Sequence, residues 1–202
     1  MAKNFLCPRK TPHVRDRHDA EGAALRAGRE SAHPHHHHAS SRRLRRRIAA
    51  RPFRITTDRA FAEVLAQCHH ERDDGCWCSM DMAVAYEELF EMGLAHSVEA
   101  WLGERLVGGL YGVCIGSAFM AESMFSRPRH GGTDASKIVL VQTLRHLESA
   151  GCALFDVQFE NDHLRQFGVT CLSDAVYRAR FVAAAARAMD WPSIDGEPPT
   201  RS

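Results

Sequence analysis

Asp156 and Gln158 stand two positions apart in the run ALFDVQFENDH, and Glu122 stands in the earlier run SAFMAESMFSR. Side chains alternate along a strand, so Leu154, Asp156 and Gln158 share one face while Phe155, Val157 and Phe159 share the other. The apolar face is built for burial. The polar face sets a carboxylate, which can take a proton, beside a carboxamide, which can both give and accept hydrogen bonds. Two readings stand: the pair points into a cleft beside Glu122, or it is a polar strand end satisfied by backbone groups.

The surrounding elements come in the order strand, strand, helix, strand. LVGGLYGVCIG and SAFMAESMFSR are neighbouring apolar runs joined by a short glycine-containing turn, the pattern of an antiparallel hairpin. After the loop PRHGGT, the apolar period changes from two to about 3.6 between Asp134 and Ala150, which marks a helix whose apolar side can cover the strand of Asp156. Upstream, Asp58 can cap a helix bearing Phe61, Val64, Leu65 and Cys68. Ser79 starts a second helix through Val84, Tyr86, Leu89 and Phe90, which Gly93 ends. AHSVEAW reads as a strand, and a last amphipathic helix is expected over Ala175 to Met189. The fold class is therefore α+β: one domain over residues 42–190, between a disordered or loosely attached leader, 1–41, and a flexible, Pro- and Gly-containing tail, 191–202.

A chain of 202 residues is long enough for one domain with a real core. No apolar run approaches the roughly 20 residues of a membrane helix, and the N-terminal MAKNFLCPRK has no apolar signal core, so a cytoplasmic protein is expected. The seven cysteines are odd in number and follow no framework spacing, which points to reduced thiols. The net charge of +1 hides an asymmetry: the first fifty residues carry twelve Lys/Arg against four Asp/Glu, leaving the remainder acidic. That division suits a polyanion-binding arm on an acidic body.

Within the leader, His35 to His38 read as a solvated low-complexity tract, with weak divalent-metal binding as the alternative. Arg42, Arg43, Arg45, Arg46 and Arg47 form the one dense basic cluster, on a short helix. Such a cluster is either a solvated face or a phosphate-binding one, whose affinity comes from counterion release. Cys68-His69-His70 and Cys76-Trp77-Cys78 bring thiols and imidazoles together, but at none of the common zinc spacings, so no metal is assigned. Trp77 is either a core residue or an indole on which an unpaired base can stack.

AHSVEAW, LVGGLYGV, AESMFSR, DASK and D-V-Q with the downstream NDHLRQFG resemble, in unbroken order from about Ser40 to Arg180, the successive motifs of leucyl/phenylalanyl-tRNA protein transferases. The resemblance implies a GNAT-like acyltransferase domain, a mostly antiparallel sheet flanked by helices. It implies transfer of Leu or Phe, and sometimes Met, from aminoacyl-tRNA to a protein's N-terminal Arg or Lys, marking the product for N-degron proteolysis, with no cofactor. On this likeness Gln158 hydrogen-bonds the attacking amine, Asp156 polarises Gln158 and helps carry off the proton, and Glu122 completes the site. From chemistry alone, either Glu122 or Asp156 could pair with the acceptor's cationic Arg or Lys side chain through a charge-assisted contact.

The same resemblance assigns Leu110, Phe119 and Met124 to an apolar pocket for the donor side chain, Trp77 to the 3′ adenosine, and the arginines of residues 42–47 to the acceptor stem. Strict alternation sets Phe119 on the face opposite Glu122 and Met124, so joint use of all three requires a bulge. The G-G-D-L-S and G-I-F-P-W segments of the family are not found ahead of Ser40, and the family's SFG is Gln166-Phe167-Gly168 here. His163 reads as a packing or hydrogen-bonding residue. Two rivals remain: an acetyl-CoA-dependent N-acetyltransferase, for which Asp134 occupies the last glycine position of the pyrophosphate loop, and a non-catalytic RNA-binding module of the same fold.

Overall fold

The computed structural model describes residues 22–25, 41–70, 80–158, 164 and 167–195. Its centre is a sheet of strands β1 (Gly22–Leu25), β2 (Arg54–Thr57), β3 (Ala95–Leu102), β4 (Arg105–Ile115), β5 (Ala118–Ser126), β6 (Leu154–Gln158) and β7 (Val169–Leu172). Among the described residues their order is β2-β3-β4-β5-β6-β1-β7, and every neighbouring pair is antiparallel except β5 with β6. The helices are α1 (Arg42–Ala49), α2 (Phe61–His70), α3 (Met80–Glu91), α4 (Ala135–Ser149) and α5 (Asp174–Ala185). This is the mixed α+β architecture, a mostly antiparallel sheet flanked by helices, that the sequence implied.

The helices divide between the two faces of the sheet because their apolar stripes do. On one face α4 buries Ile138, Val139, Val141, Leu144 and Leu147 against Val98, Leu110, Phe119 and Phe155, and Leu44 and Ile48 of α1 join the same cluster. On the other face α2 and α3 cover Tyr111 and Phe125, and α5 covers Ala118 and Leu154. Gly108 lets α4 approach: a Cβ there would stand 2.5 Å from the Cβ of Ala135. Cys114 and Cys152 are buried in this core, and loss of solvent pushes both thiols up to about 11. No helix of the described residues is long and apolar enough to cross a membrane.

Three strands have no counterpart in the sequence-based expectation: β1, β2 and β7, each of four residues. Four residues are too few for a period to declare itself, and β1 is composed of Gly, Ala, Ala and Leu, which carry little strand propensity. Part of the stretch read as a leader thus lies within the sheet, between β6 and β7.

Of the expected flexible tail, residues 191–195 are docked, and residues 196–202 lie outside the described residues. α5 ends at Ala185 instead of continuing to Met189, and the chain then docks. Trp191 stacks on His96 at 4.2 Å and leans on Phe119 at 5.1 Å. The Thr57 N–H donates to the Ile194 carbonyl (3.1 Å), the Ile194 N–H donates back to the Thr57 hydroxyl (2.9 Å), and Arg59 pairs with Asp195 at 2.9 Å. Composition suggested looseness, but an indole that covers core aromatics gains more than the ordering of a few residues costs.

Candidate active site at the parting of two strands

β5 and β6 pair only from Ala118↔Leu154 to Met120↔Asp156; past that point β5 runs on to Ser126 while β6 stops at Gln158. Glu122, Asp156 and Gln158 meet at this parting. A bulge presents Glu122: Tyr111 faces Ser123 and Gly112 faces Ala121, so Glu122 is the extra residue with no partner on β4. Gly112 makes room for the distortion, since a Cβ there would run into the Met120 carbonyl oxygen.

The three polar side chains form one chain of hydrogen bonds. Gln158 Nε2 donates to Glu122 Oε2 at 2.7 Å, and the Gln158 main-chain N–H donates to Asp156 Oδ1 at 2.7 Å. Glu122 thus meets the carboxamide of Gln158, while Asp156 meets its main chain. With its NH2 group turned to Glu122, the amide leaves its oxygen as an acceptor for an incoming donor.

Two tyrosines escaped the sequence-based reading. Tyr177 of α5 donates its hydroxyl to Asp156 Oδ2 at 2.7 Å, and Tyr86 of α3 hydrogen-bonds Glu122. Both occupy positions that read as core on an amphipathic helix, and only their hydroxyls would have hinted otherwise. Burial raises the Glu122 carboxyl above its ordinary value, the nearby Asp156 charge adds to this, and the hydrogen bonds from Gln158 and Tyr86 oppose it. A carboxyl moved in that direction is a better proton acceptor than an ordinary one.

Leu110, Phe119 and Met124 do come together. The bulge restores Phe119 to the same face as Met124, and Met124 pairs directly with Leu110. That face is the one under α4, whereas Tyr86 and Tyr177 hold the polar trio on the side of α3 and α5. Leu110 and Phe119 are core residues; Met124, with Ala121, is only partly buried. Trp77, with Cys76 and Cys78, lies outside the described residues, as do His163 and the histidine run.

The basic cluster forms a helix as expected. The Ser41 hydroxyl accepts from the Leu44 N–H at 3.2 Å, and Leu44 and Ile48 turn inward. Its arginines are not equivalent. Arg47 donates to the Thr133 carbonyl at 2.9 Å and, with Arg43 and Lys137, surrounds the Asp134 carboxylate at the start of α4, at 3.8, 3.5 and 3.1 Å respectively. Arg42, Arg45 and Arg46 stand exposed.

The model of the family "Leucyl/phenylalanyl-tRNA protein transferase" matches residues 33–182, which include all of this site. The chain belongs to that family. Two leucyl/phenylalanyl-tRNA protein transferases illustrate the likeness. The one from Hyphomonas neptunium is 43% identical over 162 residues, 79% of this chain and 61% of the relative. The one from Stutzerimonas stutzeri is 45% identical over 152 residues, 74% of this chain and 64% of the relative. The chain thus spans a little under two thirds of the length of these leucyl/phenylalanyl-tRNA protein transferases. Among solved structures, a ribosomal-protein-alanine N-acetyltransferase from Brucella melitensis biovar Abortus 2308 aligns with a TM-score of 0.39 at 18% identity, covering 69% of this chain and 95% of that one. That likeness is too loose to argue from.

Proposed function

We propose that the chain transfers Leu or Phe, and with less preference Met, from aminoacyl-tRNA to the N-terminal Arg or Lys of acceptor proteins, marking them for N-degron proteolysis. The observation that carries this reading is the hydrogen-bonded chain Glu122–Gln158–Asp156 at the parting of β5 and β6, in a member of this family.

The chemistry asks little of the protein. The aminoacyl ester is already activated, and an α-amine with a pKa of about 7.7 to 8.0 is partly neutral near pH 7. Gln158 Oε1 accepts a hydrogen bond from the amine and aims its lone pair at the ester carbonyl. The new C–N bond forms as the ester C–O bond to the terminal ribose breaks. Glu122 takes the proton that nitrogen loses and passes it on to the departing ribose oxygen, which leaves as the hydroxyl. Orientation supplies most of the acceleration. Glu122, or Asp156 behind it, also provides the negative charge that favours a basic acceptor side chain.

The donor side chain enters at the parting and meets Met124 and Ala121 first, with Phe119 and Leu110 behind them. Selection by shape amounts to about 1 to 3 kcal/mol per methylene, which is why Met is expected to be tolerated. Trp77 stacks on the 3′ adenosine, and Arg42, Arg45 and Arg46 neutralise acceptor-stem phosphates without reading sequence.

The test is transfer of labelled Leu from Leu-tRNA to an Arg-initiated peptide by the wild-type chain and by Gln158→Ala. Transfer by the first and near-complete loss in the second is expected. Binding of the tRNA with no transfer by either would leave the chain a binding module and end this reading.

A further inference from the structure

Gln158 is held in the left-handed backbone region, at φ 66°, although it bears a side chain. Such a residue is strained there and keeps the conformation only when its surroundings impose it. Here the imposition is traceable. The Gln158 N–H is fixed on Asp156 Oδ1, and Asp156 is only 6% exposed, with no Lys or Arg pairing with it among the described residues. A carboxylate so enclosed needs donors on both oxygens to stay in one orientation.

The second donor comes from a different element. Tyr177 reaches Oδ2 from the first turns of α5, its ring lying parallel to that of Phe181 at 6.2 Å. α5 is itself tied to the sheet away from the site: the Ser117 N–H and hydroxyl both donate to the Ala184 carbonyl, at 2.9 and 3.0 Å. The phenol is pushed well above its ordinary range, first by burial and then by its bond to Asp156, so it remains a donor throughout the working range of pH.

We propose that Tyr177 is a positioning residue: by clamping Asp156 it locks Gln158 in the left-handed conformation that turns the carboxamide toward Glu122 and the incoming amine. This rests on the function proposed above, and it adds a residue whose action is entirely indirect. Without the hydroxyl, Asp156 is free to turn, the Gln158 backbone relaxes toward extended, and the amide swings away from Glu122.

Tyr177→Phe removes one oxygen atom and is examined in two ways. In the transfer assay kcat should fall about tenfold to a hundredfold, the cost of a misplaced reacting group, while KM for peptide and for aminoacyl-tRNA stays within about twofold. In a Gln158→Ala background the same substitution should cost less than about twofold, because the group it positions is gone. Hydrogen exchange gives a readout that needs no activity: the Gln158 amide should lose protection in Tyr177→Phe while amides of β4 keep theirs. Undiminished kcat loss on top of Gln158→Ala, or an unchanged Gln158 amide, would overturn the proposal. If the wild-type chain transfers nothing, the proposed function falls and the exchange result alone decides the clamp. Should Tyr177→Phe not fold, Tyr177→Met, which fills the space without a donor, carries both measurements: lost protection of the Gln158 amide supports the clamp and retained protection refutes it.

Discussion

Two glutamates in the same sheet invite comparison. Glu99 on β3 and Glu122 on β5 are both raised above the ordinary carboxylate value, and in both the first cause is burial. Their partners differ. Glu99 is fully enclosed and accepts from the hydroxyls of Thr56 (2.6 Å) and Ser97 (2.5 Å) and from the Ala60 N–H, while Thr56 in turn accepts from the Trp101 indole at 2.8 Å. Every donor around it belongs to the packed body, and it ties β2, β3 and the entry of α2 together. Glu122 is bound by Gln158, an exposed residue at a strand end that can turn its free amide oxygen to something else. A raised carboxyl is therefore not by itself the sign of a site; the sign is a partner with spare capacity facing solvent.

The comparison breaks most visibly under substitution. Glu122→Gln and Gln158→Ala should each lower transfer by about a hundredfold to ten-thousandfold, with melting temperatures nearly unchanged. Glu99→Gln should leave transfer per folded molecule within about twofold. A Glu99→Gln protein that folds but transfers nothing would erase the distinction. Next in size, Glu99→Ala should cost about 3 kcal/mol in urea unfolding, since it leaves a cavity and strands two buried hydroxyls.

Titration sharpens the same contrast. A carboxyl whose pKa is raised on folding favours the native state fully below its unfolded pKa, and that advantage is lost as pH rises through the folded value. Starting from the ordinary 4.5, the stability of Glu99→Gln relative to wild type should therefore grow as pH rises, measured by urea midpoints from pH 4 to pH 8. A flat difference would mean that the hydroxyls and the Ala60 N–H keep Glu99 ionised without penalty. The smallest effect belongs to the basic helix. Neutralising Arg42, Arg45 or Arg46 should reduce the slope of log affinity for tRNA against log salt by about one each. Arg47→Ala, which removes a contact to the α4 loop, should instead show as lost thermal stability.

Much of this was legible in the residues. The hairpin of β4 and β5, helix α4 and strand β6 carry long runs of unbroken period, and local pattern decides such elements. The need for a bulge between Phe119 and Met124 could be stated from the sequence, because alternation left no other way to unite them. Its location at Glu122 could not, since that depends on the register against β4. β2 is determined by the edge of β3, β7 by β1 more than a hundred residues before it, and the docked Trp191 by the distant rings of His96 and Phe119, which no local window contains. Tyr86 and Tyr177 looked like core residues because their rings are; the hydroxyls matter only once the sheet brings two carboxylates beneath them.

The bulge on β5 carries one last implication. Tyr111 to Ser123 and Gly112 to Ala121 are consecutive pairings on β4, so a strand shortened by Glu122 alone would zip onto its neighbour without a skipped position and keep every other side chain on its present face. Excising this residue ought to yield a sturdier protein that does nothing. The strand tolerates an irregularity it has no structural need for, and the function proposed above puts its base at that surplus residue.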